Sequence, residues 1–190
     1  MYRILQVAFL VLLFQQAIAG EILPTVDGEV FAKRFVGKPG NGQLLVEFVR
    51  EGESFESWTK LVGYRSQQLP GIDNDPFKYA SAMLRMAQGQ DPRSNPQILR
   101  NEQSNQAVVD YLIHAPDGKF VEHNVFRFWK SRDGKAIVSL QIARRFDLPN
   151  SLVEELERPG MKVGERRFSW IVQATELFNP RDVESELLRQ

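Results

Sequence analysis

An α+β fold is predicted: one domain built on a mostly antiparallel sheet, with a central three-stranded meander and helices packed on it. Three observations predict it. Between residues 97 and 146 the apolar period is two and is broken by two Asp-Gly turns, "APDGK" and "SRDGK". Asp75-Pro76 ahead of an apolar stripe signals a helix, and Asn179-Pro180 signals another at the C-terminus.

The chain opens "MYRILQVAFLVLLFQQAIAGE". Arg3, an apolar run over residues 4–14 and the small-residue pattern Ala17-Ile18-Ala19 read as a secretory signal peptide over residues 1–19. The run is too short for a transmembrane helix, which needs about 20 apolar residues. Residues 21–190 then form the single globular domain, and no integral membrane segment remains after cleavage. The chain has no cysteine, so the exported protein folds without disulfides and offers neither thiol chemistry nor a lipoprotein anchor. Loss of Arg3 leaves 23 basic residues against 24 acidic ones, a formal charge of −1. That balance gives no bulk electrostatic reason to hold nucleic acid or an anionic membrane.

Residues 21–43 are rich in turn formers, with "EVFAKRFV" as a short strand among them, and "QLLVEFV" reads as a largely buried strand. Ser54 is placed to cap a helix carrying Phe55, Trp58, Leu61 and Val62 at spacings of three and four. In that helix Trp58 anchors helix to sheet, and Glu51, Glu53 and Glu56 crowd its positive end. The helix led by Pro76 puts Phe77, Ala80, Met83, Leu84 and Ala87 on one face and stops at Gly89.

The meander strands are expected over residues 107–114, 120–130 and 136–146. For the second hairpin, a three-residue loop of Arg132, Asp133 and Gly134 sets Phe126 and Phe128 opposite Leu140 and Val138, keeping one apolar face and one mixed face. Later, Asn150 caps a short acidic helix "SLVEELE", "RRFSWIVQA" reads as a strand, and the last helix carries Val183, Leu187 and Leu188.

Candidate chemistry is sparse. His114 and His123 flank the first hairpin turn, where Pro116 favours a three-residue loop and opposite faces. A metal would need more ligands than they supply, so no metal and no cofactor is expected. "DND" at residues 73–75 lacks the calcium-loop pattern, and neither a nucleophile elbow nor a phosphate-cradling glycine loop occurs, so no catalytic residue is assigned. In "FRFWKSR" the Phe pair faces the core. Trp129 then lies on the other face, where with Arg127, Gln141 and His123 it would form an exposed recognition patch.

The stretch "VEFVREGESFESWTKL", with Gly52, Glu53, Trp58 and Thr59, followed by the Pro76-led helix and a long meander, resembles small exported proteobacterial proteins of uncharacterised role over the middle two-thirds of the chain. The element order is also similar to the PsbP-like or Mog1-like α/β/α sandwich. Three functions are weighed. The leading one is a non-enzymatic periplasmic or envelope protein that binds another envelope or secreted protein, as an inhibitor or immunity factor. The second is a small exported hydrolase with His114 or His123 as base and an acid from residues 51–56 or Asp110, which isolated surface imidazoles would exclude. The third is a carrier of a small apolar ligand in a cavity lined by Phe55, Trp58, Met83 and Phe126.

Overall fold

The computed structural model describes residues 23–40, 42–148 and 163–190. The expected signal peptide and the "SLVEELE" helix lie outside the described residues.

The chain runs through β1 (Thr25–Val26), β2 (Glu29–Val30), β3 (Lys33–Gly40), β4 (Gln43–Val49), β5 (Lys60–Gln67), α1 (Pro76–Gln90), β6 (Gln97–Asn101), β7 (Gln106–His114), β8 (Phe120–Lys130) and β9 (Ile137–Asp147). Two further helices follow, α2 (Val163–Glu176) and α3 (Pro180–Leu188). β1 and β2 pair with each other, and the other seven strands form one antiparallel sheet ordered β3-β4-β5-β9-β8-β7-β6.

This corrects the predicted fold class. The sheet is seven-stranded where a central three-stranded meander was expected. The segment over residues 55–62, expected as a helix, is a turn followed by β5, whose Leu61, Val62, Gly63 and Tyr64 are all buried. A central strand covered on both faces reads as a continuous apolar run, which helical spacing can mimic. "RRFSWIVQA" lies in helix α2, not in a strand. β6 was not expected, because only Ile98 among its residues is even partly buried.

The second hairpin also differs. Phe128 pairs with Ser139, Phe126 with Gln141 and Arg127 with Leu140, around a four-residue loop closed by Ser131 N–H donating to Ala136 O at 2.9 Å. The expected register assumed that one face must be apolar. Both faces are covered here, so placing Phe opposite Ser or Gln costs little. On one face Ala107, Val109, Phe126, Phe128 and Ile137 pack under Ala80 and Met83 of α1. On the other, Val108, Val125, Trp129, Val138, Leu140 and Ile142 pack under Trp170, Ile171, Val183 and Leu187 of α2 and α3. Phe55 and Trp58 sit with Val49, Leu61 and Ala143 in a separate cluster from Met83 and Phe126, so those four residues do not line one cavity.

Candidate functional site

The residues expected as an exposed patch do not form one. Arg127, Trp129 and His123 are 7%, 4% and 0% exposed beneath α2 and α3, while Gln141 lies on the opposite face and donates to Asn124 Oδ1 at 2.9 Å. The period-two pattern put Arg127, Trp129 and His123 on one face, but the shifted register moves Gln141 to the other, and the pattern carries no information about which faces helices cover.

Arg127 works on α2. Its Nη1 donates to the carbonyls of Ala174, Thr175 and Phe178 at 3.4, 3.1 and 2.9 Å, and its Nε donates to Gln106 Oε1 at 2.8 Å. The first two carbonyls belong to the unpaired end of the helix and the third to the connection that follows it, and a cation there also meets the negative end of the helix dipole. Burial pulls this guanidinium's pKa below its ordinary value. Trp129 Nε1–H donates to Glu184 Oε1 at 2.9 Å and so ties α3 to β8.

A second polar group fills the same layer. His123 Nε2 is hydrogen-bonded to Asp110 Oδ1, and Asp110 Oδ2 takes Arg167 Nη2 at 2.7 Å and Nε at 3.0 Å, with Asp110 1% exposed. Arg167 Nη2 also donates to Asn95 O at 2.9 Å. The Trp170 ring lies 4.6 Å from the imidazole centroid, with the Arg144 guanidinium 4.8 Å and that of Arg166 5.3 Å from the indole. The Asp110–His123 pair named from sequence is therefore real, but it is sealed in the interior. Desolvation pushes the His123 pKa below 6.5 against the opposing pull of Asp110.

His114 meets a different acid. β7 and β8 pair His114 with Val121 and Leu112 with His123, so the two histidines form a diagonal on one face, not the expected opposite-face arrangement. Asp91, just past α1, accepts His114 Nδ1 at 2.7 Å and the His114 backbone N–H at 2.9 Å, together with Arg93 Nε at 3.1 Å. Burial opposes ionisation of Asp91, but these donors outweigh it and hold the carboxyl well below the usual range. A proton on Nδ1 directed at the carboxylate leaves Nε2 as the basic nitrogen. The site opens on a pocket of about 490 Å³ lined by Arg93, Ile113, His114, Pro116, Phe120 and Glu122. Glu122 is paired with Arg145 at 2.8 Å, whose guanidinium lies 4.3 Å from the Phe120 ring centre and 4.2 Å from that of Trp58.

Neither imidazole is thus isolated on the surface. The acids at residues 51–56 contact neither of them; Glu53 instead organises the β4–β5 turn through Arg50 and Thr59. Among the described residues no group of His, Asp and Glu could hold a metal ion. Sequence reasoning missed Asp91, Arg144, Arg167 and Trp170. The spacing of Arg167, Trp170, Ile171 and Ala174 is helical and was the available signal for α2.

No curated protein and no solved structure matches the chain, and the expected PsbP-like or Mog1-like likeness finds no support in these comparisons. A model of an uncharacterised protein family matches residues 25–160. The match takes in every strand of the sheet and α1, and it ends before α2. With well over half of its length matched, the chain belongs to that family.

Proposed function

We propose that the mature chain is an exported, periplasmic protein that binds another envelope or secreted protein without catalysing a reaction, in the manner of an inhibitor or immunity factor. The observation that supports this reading is the β6 edge of the sheet. β6 pairs with β7 alone among the described residues and presents Leu99 at 45% exposure. The opposite edge, β3, is broken by a register shift between Gly37 and Gly40 and carries Lys33, Lys38 and Pro39, the features that deter strand addition. β6 has no proline and no bulge, so it suits an extended partner strand that supplies main-chain hydrogen bonds and an apolar contact to Leu99. The test is capture of a defined partner from envelope extract by residues 21–190, compared with Leu99→Asp. A partner held by the wild type and lost by the variant is the expected result. Equal capture by both chains rules out the β6 edge.

A second reading, the small hydrolase, is favoured by one observation: His114 Nδ1 stands 2.7 Å from Asp91 beside an open pocket that also holds Glu122. An imidazole oriented by a carboxylate is the arrangement of a general base. Hydrolysis of activated esters by the wild type that falls at least about 100-fold in His114→Gln would establish it. Equal rates in the two chains would remove it.

A further inference from the structure

We propose that the N-terminal half of α2 is a proton-released latch, seated on the sheet while His123 is neutral and lifted from it when the imidazole takes a second proton. The inference goes beyond the binding reading and does not depend on it.

With Nε2 donating to Asp110, the neutral imidazole keeps a lone pair on Nδ1. Among the described residues that nitrogen has no hydrogen-bond partner, and neither has the indole Nε1–H of Trp170, although both side chains are fully buried and their rings are 4.6 Å apart. Protonation turns Nδ1 into a second donor, and among the described residues no group accepts from it. A buried donor left unpaired costs a large part of its hydration energy, and more when it is charged.

The surroundings make the added charge worse. Facing His123 are Asp110 from β7, Arg144 from β9, and Arg167 and Trp170 from α2, with the Arg166 guanidinium 5.3 Å from the indole. Asp27, from the β1–β2 turn, reaches Arg144 at 3.3 Å and not the imidazole. Among the described residues, two guanidinium groups, one of them paired with Asp27, and the Asp110 carboxylate therefore surround a ring that would become cationic. The strands cannot move apart without breaking the sheet ladder, whereas α2 can. Moving α2 removes Arg167 and Trp170 together and admits water to Nδ1.

The helix does not leave as a whole. Arg127 holds the carbonyls at its other end through bonds that contain no group titrating near neutrality, and Ala174 is fully buried. The motion is a hinge at the C-terminal turn of α2, which frees the turns that carry Arg167 and Trp170.

The experiment is amide hydrogen exchange of the mature chain at pH 7 and pH 5, corrected for the intrinsic exchange rate, with the imidazole carbons of both histidines followed by NMR. An opening linked to one proton gains up to about tenfold in population per pH unit. Protection in the first half of α2 should thus fall by at least about tenfold between the two pH values, while β8 and β9 keep theirs. His123→Gln, which cannot take the proton, should show no such difference, and His114→Gln should show the full one. Unchanged protection of α2 in the wild type overturns the proposal, as does a pH response that survives in His123→Gln. Should His123→Gln fail to fold, the NMR titration decides: release that follows the His114 midpoint and not that of His123 also overturns it.

Discussion

Arg127 Nη1 donates to the carbonyl of Thr175 across 48 positions of sequence, at 3.1 Å, so a residue of the central sheet supplies the cap of the helix lying over it. This contact gives a polar side chain in the middle of β8 a structural duty, and it sets the first prediction.

Arg127→Ala leaves the last carbonyls of α2 without donors and Gln106 Oε1 without a partner. A hydrogen bond from a charged donor contributes about 1.5–3 kcal/mol, and the substitution is expected to cost roughly 3 kcal/mol. Urea unfolding read by tryptophan fluorescence measures it. Arg127→Lys should recover little, because a single ammonium cannot reach the carbonyls and Gln106 together.

Asp110→Asn removes the charge that Arg167 and His123 share. An ion pair buried to this degree is expensive to break from one side, and the loss should be about 3–5 kcal/mol. The double replacement Asp110→Leu with Arg167→Met should cost clearly less than Asp110→Asn, since neither charge is then stranded. A double-mutant comparison by denaturant melts checks both expectations.

Glu53 contributes to the acid limb of the stability profile. Partial burial raises its pKa, but the bonds from Arg50 and from the Thr59 hydroxyl and backbone overcome this and bring it down from 4.5 to about 2. A carboxylate with a depressed folded-state pKa stabilises fully above its unfolded value and loses that contribution as pH falls through the folded one. Wild type should therefore lose stability between pH 4.5 and 2 more steeply than Glu53→Gln. Melting temperatures across that range give the two slopes.

Asp75 caps α1 by accepting the backbone N–H groups of Phe77 and Lys78 at 2.8 and 3.1 Å. Asp75→Ala is expected to cost about 1 kcal/mol and Asp75→Ser much less. A negligible loss in Asp75→Ala would show that α1 is held by the packing of Ala80 and Met83 and not by its cap.

The same capping pair shows what could be read from the chain. Asp75-Pro76 and Asn179-Pro180 are local devices and were legible, as were the meander strands with their Asp-Gly turns. Whatever depended on coverage was not legible. Trp58 was correctly placed in the core but in the wrong element: it lies in the turn before β5, and the buried Leu61 and Val62 of that strand completed a helical spacing by coincidence. Arg127, Trp129 and His123 shared a face as expected, yet α2, which hides them, had been read as a strand from "RRFSWIVQA". For the same reason the buried partners of His123 could not be anticipated: Arg167 and Trp170 are brought to it by a helix absent from the sequence reading. Asp91 was missed because it follows the expected stop of α1 at Gly89, and nothing local marks the residue that will meet His114.

The pairing of β5 with β9 at the centre of the sheet bears on how fast the protein can form. On either side of that seam lie strands joined by short connections, β3-β4-β5 and β9-β8-β7-β6, each of which can find its register from nearby partners. The seam itself joins Gln67 to Ile137, about 70 positions apart, and closing so long a loop consumes entropy before any contact repays it. Chains with such remote pairings fold in milliseconds to seconds where helical bundles take microseconds. Two half-sheets meeting along one late seam make the middle of the molecule, and not its ends, the place where folding waits.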